Sequence, residues 1–479
     1  MKIKTLKELS YFTFNELQDI FEVEDPNHLK EIIQSLFENN IIKSLKNISD
    51  ADLEQLLEID EIKRSNLPKQ TSYSFKYVGM IIVENILLFI YPKYIKNIEK
   101  DKQNNYKKFK QIINVIRKYE SKQQKIHTTN NTDVESSNML SICLELLLDY
   151  FEHGLYNNHK QIIELNGEGE IFWEKTINEN IAYISNNVPV YLDTFNYNQK
   201  DNDNDYFKEL HSFVLTDISN RFSEVLELIG LEGVDLSLSD INNFGKTEYI
   251  VHRLNQEIST QFITYKQNIL KLLKKYIQEK ESKSTSQNIS FLGTNAFNLV
   301  WEDVCSVVMN NSLNKTLADL NLKYSKNNNS KLFLKDIIFK PKWKYHSNDN
   351  HQNDHHHESK TLIPDIVCID KNKNSLFIYD AKYYNILLNE KSIKSQPGIG
   401  DITKQYLYEL AYKEFAKENN LNIVENAFLF PSDENQDIKQ EKIGCVVLDE
   451  LSSILNKQSC GISVILKSCE KMYKEYLRK

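Results

Sequence analysis

Two apolar runs, Ile366-Val-Cys-Ile369 and Leu376-Phe-Ile-Tyr379, flank the polar stretch Lys371–Asn374. Runs this short and this close in the chain bury one another most simply as the two strands of a β-hairpin. With Asn372-Lys373 as the loop residues, counting outward along both strands sets Asp365 directly opposite Asp380. Side chains of such a pair share a face, with Cβ atoms about 4.5–5.5 Å apart. Lys382 follows two residues after Asp380 and points the same way. A bulge or a longer loop would shift this register.

Two carboxylates facing each other on buried strands repel, and burial raises the cost. A divalent cation between them removes the conflict, and ligation by oxygen alone suits Mg²⁺, with Mn²⁺ as a substitute. A neighbouring lysine adds positive charge near an attacking water and the developing phosphorane oxygens. The set Asp365, Asp380 and Lys382 therefore fits metal-dependent phosphodiester hydrolysis. The plainer alternative makes Asp365 a turn cap after Pro364 and Asp380 a surface residue at a strand end. For one aspartate alone that reading prevails. Pro-Asp, fourteen residues, then Asp-x-Lys on apolar strands outweighs it.

A chain of 479 residues has room for two or three domains, and 41% hydrophobic with 26% charged residues lets each bury a core. Residues 1–75 read as helical: Asp25-Pro26 is an N-cap with proline at N1, followed by Leu29, Ile32, Ile33, Leu36 and Phe37 at helical spacing. With Phe14–Phe21 this makes a helix pair, either a winged-helix DNA binder or a small docking element. Residues 76–287 form a middle region of a hairpin and then helices. Its strands, Tyr73–Val83 and Ile86–Tyr91, join at Glu84-Asn85; Ser121–Ser137 and Asn196–Asp205 read as surface loops. Residues 288–479 form the last domain. A helix carrying Phe297, Val300, Trp301, Val304, Cys305 and Val308 precedes a strand at Leu332–Phe339 and a low-complexity insert, His346–Lys360. The two apolar strands, the helix Asp401–Lys417, a strand at Gly444–Leu448 and a final helix complete an α/β arrangement, a mixed central sheet flanked by helices.

Several signals narrow the function. The most apolar stretch, Val78–Tyr91, is broken by Glu84 and Asn85, and the N-terminus lacks a secretory signal, so a cytoplasmic protein with no membrane partner is expected. Cysteines 143, 305, 368, 445, 460 and 469 stand singly, which reads as reduced thiols rather than a disulfide or zinc frame. A net charge of −8 argues against holding long DNA by phosphate contacts alone. It points to a partner that holds the DNA or to a local lysine-rich groove; the helix face carrying Lys271, Lys274 and Lys275 could touch phosphates, but such a run more often is simply solvated. Gly245-Lys246-Thr247 imitates the end of a phosphate-binding P-loop, but Asp240 stands where its first glycine belongs. Any nucleotide hydrolysis must come from another chain. His346, His351 and His355–His357 lie among Asn, Asp and Ser and read as a mobile loop, not a metal site.

The Pro364-Asp365 … Asp380-Ala-Lys382 pattern resembles the PD-(D/E)xK nuclease superfamily. Asp380-Ala-Lys382-Tyr-Tyr with Gly400-Asp-Ile-Thr-Lys-Gln405-Tyr-Leu-Tyr408 resembles the LlaJI restriction endonuclease family and its McrC-like relatives. So do Tyr77-Val-Gly79, Tyr91-Pro-Lys-Tyr94 and Phe151-Glu-His-Gly-Leu-Tyr156. The resemblance implies a DNA endonuclease subunit of a restriction system that defends against foreign DNA, acting on double-stranded DNA with a McrB-like AAA+ GTPase. It implies Asp365 and Asp380 as Mg²⁺ ligands, Lys382 as catalytic lysine, Glu302 as an acidic metal ligand on the preceding helix, and Gln405 as a residue positioning substrate or water. Read from the residues alone, Glu302 lies off the apolar stripe and fits a solvated carboxylate equally, and Gln405 fits an exposed helix residue. The tyrosine that commonly follows such a glutamine four residues on is displaced here to Tyr408, with Glu409 in its place. Cutting both strands would call for two such domains. The alternatives are a self-contained restriction enzyme reading DNA through residues 1–75, and a non-catalytic assembly subunit.

Overall fold

The computed structural model describes residues 2–44, 72–96, 102–129, 139–201, 205–282, 289–326, 331–344, 355–357, 360–433, 442–455 and 461–479. The compact units do not follow the three sequential divisions expected above. Met1–Val134 packs with Leu292–Lys479 as one unit, and Glu135–Phe291 forms the other.

In the first unit the chain begins with β1 (Lys2–Lys7), β2 (Tyr11–Thr13), α1 (Phe14–Phe21), α2 (Pro26–Glu38), β3 (Ile42–Ser44), β4 (Ser72–Phe75), β5 (Val78–Val83) and β6 (Ile86–Tyr91). The helix pair is as expected. Thr13 and Glu16 close a capping box on α1, and the Asp25 side chain caps α2 ahead of Pro26. The segment is not wholly helical, however, because β1 pairs in parallel with β6. The expected strand Tyr73–Val83 is two strands: β4 joins β2 and β3, whereas β5 turns at Glu84-Asn85 into β6. Glu84 takes the left-handed conformation that this tight turn requires, at φ 52°. Helix α3 (Lys102–Thr129) packs Phe109 against Phe89 with ring centroids 4.3 Å apart and the planes tilted by 32°. It runs through the first half of the expected Ser121–Ser137 loop; residues 130–138 lie outside the described residues.

Strand β7 (Ile289–Thr294) completes the order β1-β6-β5-β7. At Gly79 and Gly293 the backbones come so close that a Cβ on Gly79 would lie 2.2 Å from the Leu292 carbonyl oxygen. Gly79→Ala is therefore expected to destabilise the unit by about 1–3 kcal/mol, measured as a lower urea midpoint at unchanged slope.

The rest of this unit is a mixed α/β layer. Helix α4 (Phe297–Val308) precedes β8 (Ile366–Asp370), β9 (Ser375–Ala381), α5 (Ile399–Glu418), β10 (Asn422–Ser432), β11 (Lys442–Val446), β12 (Ile462–Ser468) and α6 (Cys469–Arg478). The sheet order is β8-β9-β10-β12-β11. The two outer pairs are antiparallel and the two inner pairs parallel, so the sheet is mixed as expected. Helix α5 buries Tyr408, Tyr412 and Phe415 against Val367, Leu376 and Ile378, and Tyr406 against Phe428 and Phe430. Helix α4 buries Trp301, whose indole N–H donates to the Leu429 carbonyl at 3.2 Å.

Other local expectations are corrected. Leu332–Phe339 contains a 3-10 turn, Leu334–Ile337, because Leu334 and Ile337 at i and i+3 both reach the core. Within the histidine-rich insert, His355–His357 is a strand paired with Lys342–Lys344; residues 345–354 and 358–359 lie outside the described residues. Among the described residues no cysteine is in a disulfide. Among the described residues no helix is long and apolar enough to cross a membrane.

The second unit holds the helices Met139–His153, Tyr206–Arg221, Ser223–Ile229, Thr247–Thr260 and Thr264–Ser282. Phe195–Asp201, expected as part of a loop, is a strand paired with His159–Leu165. Its asparagines find partners there: Asn198 donates to Glu164 at 2.9 Å and Asn196 to the Gly169 carbonyl at 2.7 Å. The P-loop imitation is a 3-10 turn capped by the Asp240 side chain, with Gly245 at φ 98°.

Candidate active site

The hairpin register places the chemistry. Ile366 pairs with Tyr379 and Asp370 with Ser375, which is the expected alignment. The turn Lys371–Asn374 is longer than the two-residue loop expected, with Asp370 accepting from the backbone N–H of Asn372 at 3.1 Å and Lys373 at 3.3 Å. Asp365 stands just before β8, where its carboxylate accepts the Ala381 N–H at 2.9 Å. Asp380 lies near the end of β9 and is buried. The backbone of Lys382 extends the ladder, donating to Leu429 O at 3.0 Å, and its ammonium lies 2.9 Å from Asp380 and 3.2 Å from Asp401.

The electrostatics show how tightly these groups are placed. Burial, then the charge of Asp380 and a hydrogen bond between the two carboxyls, push Asp365 up to about 8; Glu302 adds to the shift. Glu302 is itself raised, by burial first and then by Asp380. Burial alone would depress the Lys382 ammonium, but Asp380 and Asp401 outweigh it and hold the lysine above its ordinary range. Helix α4 thus brings Glu302 within electrostatic reach of the pair, and the structure assembles four of the five expected residues.

Gln405 is placed differently. It is fully buried rather than exposed, and its amide donates to Ala427 O at 3.4 Å on β10. Its Oε1 has no hydrogen-bond partner among the described residues. The helix face it occupies also carries Asp401 and Tyr408, at i−4 and i+3.

Three residues position the site from other elements, and two of them, Asp401 and Asn311, are not singled out by the sequence. Asp401, in the first turn of α5, holds Lys382 from the far side. Asn311 clamps the entry to β8, donating to Asp365 O at 2.9 Å and accepting from Val367 N–H at 3.1 Å. Tyr408 donates to Ile363 O at 3.1 Å, two residues before Asp365. An acid opening a helix reads as a dipole partner, and an asparagine after a helix reads as a cap, so neither type announced itself. Nearby, Tyr383 donates to buried Glu8, which also accepts the Lys93 N–H at 3.1 Å, and the Lys93 ammonium lies 4.9 Å from the Tyr383 ring centre. The Tyr91-Pro-Lys-Tyr94 segment therefore braces the strand that carries Lys382.

The donor set fits a hard divalent cation. Among the described residues no group of three or more His, Cys, Asp or Glu is arranged to hold an ion by itself. Mg²⁺ does not require such a cage, since it keeps several waters and takes one or two carboxylates plus a substrate phosphate. Two adjacent carboxyls, one driven toward its neutral form by burial and then by the charge of the other, are the pair that a cation would relieve. A pH dependence follows. The raised Asp365 is protonated below about 8, so uptake of a cation there would release a proton and would tighten as pH rises toward that value. Without metal the sign reverses: folding is penalised as pH climbs from the ordinary aspartate range through about 8. Melting temperature in chelator is expected to fall by a few degrees between about pH 6 and about pH 9, more than in Asp365→Asn.

Fold and site together describe a mixed α/β protein with an acidic pair and a lysine where the edge strand β8 enters the sheet beside the end of β9. The sequence pattern of the LlaJI restriction endonuclease family matches residues 77–453, and the chain belongs to that family. It is similar to the Type II restriction enzyme BsuMI component YdjA of Bacillus subtilis (strain 168), 29% identical over 409 residues, spanning 84% of this chain and 80% of that protein. Similar solved structures include a chain of the Thermococcus gammatolerans half-complex of McrB AAA+ hexamers with bound McrC, at 14% identity and TM-score 0.40, covering 100% of this chain and 99% of that one. A chain of the McrBC complex from the same organism gives 12% identity and TM-score 0.25, over 66% of this chain and 89% of the other.

Proposed function

We propose that this chain is the DNA-cleaving subunit of a restriction system, hydrolysing phosphodiester bonds in double-stranded DNA at a PD-(D/E)xK-type site. The observation that carries the reading is the cluster of buried Asp380 with half-buried Asp365, Lys382 and Glu302. Asp365 and Asp380, with Glu302 at the rim, would hold Mg²⁺ or Mn²⁺. A bound cation supplies Lewis-acid polarisation of the scissile phosphate and a more acidic water. Lys382, kept protonated by two carboxylates and fixed through its backbone to β10, presents positive charge where the phosphorane oxygens gain negative charge. Ala381 N–H and Asn311 hold Asp365 against rotation, so little reorganisation is needed when substrate arrives. Gln405, with its free carbonyl oxygen, is a positioning candidate one helical turn from Asp401.

A partner belongs to the proposal. Without a P-loop of its own, the chain would depend on a McrB-like AAA+ GTPase, and its relative is named as a component of an enzyme. The two-stranded hairpin Ala182–Tyr191 leaves Ile181, Tyr183, Ile184 and Val188 exposed, the kind of apolar surface that marks a protein interface. The self-contained alternative is disfavoured by charge. A depression beside the start of α2 is lined by Glu22, Glu24, Asp25, Glu31 and Glu84, which repel phosphate, so residues 1–75 serve docking better than DNA reading. The test is to purify the chain with and without the AAA+ protein encoded beside its gene and to follow plasmid cleavage in Mg²⁺. Cleavage that requires partner and GTP is expected. No cleavage under any combination would overturn the reading, and full cleavage by the chain alone would remove the partner from it.

A further inference from the structure

We infer that Asp401 is the positioning residue that draws Lys382 away from Asp380, leaving that carboxylate available to a cation; the inference rests on the metal-site reading above. The ammonium lies between Asp380 at 2.9 Å and Asp401 at 3.2 Å, and all three side chains are largely buried. A lysine and a divalent cation on one carboxylate are competitors, since each repels the other and both seek the same oxygens. With Asp380 as its sole anion, Lys382 would hold that carboxylate closed against the metal. Asp401 comes from a different element, the first turn of α5, while Asp380 and Lys382 share one strand end. Its position therefore persists when Asp380 turns toward a cation. The lysine then keeps a counter-charge and stays beside the reacting phosphate. Asp401 acts through Lys382 and needs no contact with metal or DNA.

The measurement is Mn²⁺ binding without DNA, read as loss of the free-ion electron paramagnetic resonance signal, with circular dichroism to establish that each variant is folded. Asp401→Asn is expected to weaken Mn²⁺ binding by about tenfold, and Asp401→Glu to restore most of it. Adding Lys382→Ala to Asp401→Asn is expected to return binding to the wild-type level or tighter, because the competitor is gone. A general structural role for Asp401 would not produce that reversal. Should asparagine disturb the helix start, Asp401→Ser repeats the comparison. Wild-type affinity in Asp401→Asn, or a double variant as weak as Asp401→Asn, overturns the inference. Asp380→Asn is the separate control: unchanged Mn²⁺ binding in that variant sinks the metal site itself and the inference with it.

Discussion

Lys382→Ala is expected to lower DNA cleavage by about 10²–10³-fold while the protein stays folded. The side chain contributes little to the core; its ammonium stands at the strand end between Asp380 and Asp401. Removing it deletes the fixed positive charge that opposes the charge developing on the phosphate. It also leaves neighbouring carboxylates without their counter-ion, so the metal-free variant should melt earlier than wild type and recover when Mg²⁺ is added. Plasmid nicking assays with matched melting curves test both halves. Cleavage at the wild-type rate would remove Lys382 from the chemistry.

Chelation is expected to have an equally large effect. EDTA should stop cleavage, and Mg²⁺ or Mn²⁺ should restore it in wild type but not in Asp380→Asn or Asp365→Asn. Each asparagine keeps the shape of the side chain and removes the charge that a hard cation requires. Asp365→Asn has a further consequence, since one buried carboxyl no longer opposes the other and the metal-free protein should gain stability above about pH 8. A variant that loses cleavage yet melts later at high pH would tie both properties to one pair of groups. Cleavage persisting in EDTA would exclude this pair as a metal site.

Asp365, Asp380 and Lys382 were legible because strand alternation is a local rule. Once two apolar runs pair, the face of every residue follows from counting, and a turn longer than expected left the alignment intact. Helix caps are equally local, which is why Thr13 and Asp25 start their helices where the residues indicate. Glu302 was less visible. Its helix could be drawn from Val300, Trp301 and Val304, but the distance from that helix to Asp380 depends on how α4 lies on the sheet. Gln405 shows the same gap in reverse, since a polar side chain on a helix reads as solvated until a sheet is found beneath it.

By itself the sequence determined the hairpin, the pairing of its two aspartates with a lysine, the starts of the first two helices and the absence of a P-loop, all through residues near in the chain. Tertiary structure alone decided that β1 lies beside β6, that Met1–Val134 packs with Leu292–Lys479, and that Asp401 and Asn311 close on the site from other elements. Local geometry repeats every two or 3.6 residues and can be counted. Long-range docking reflects the shapes and burial of whole surfaces, for which a linear order of residues carries no period.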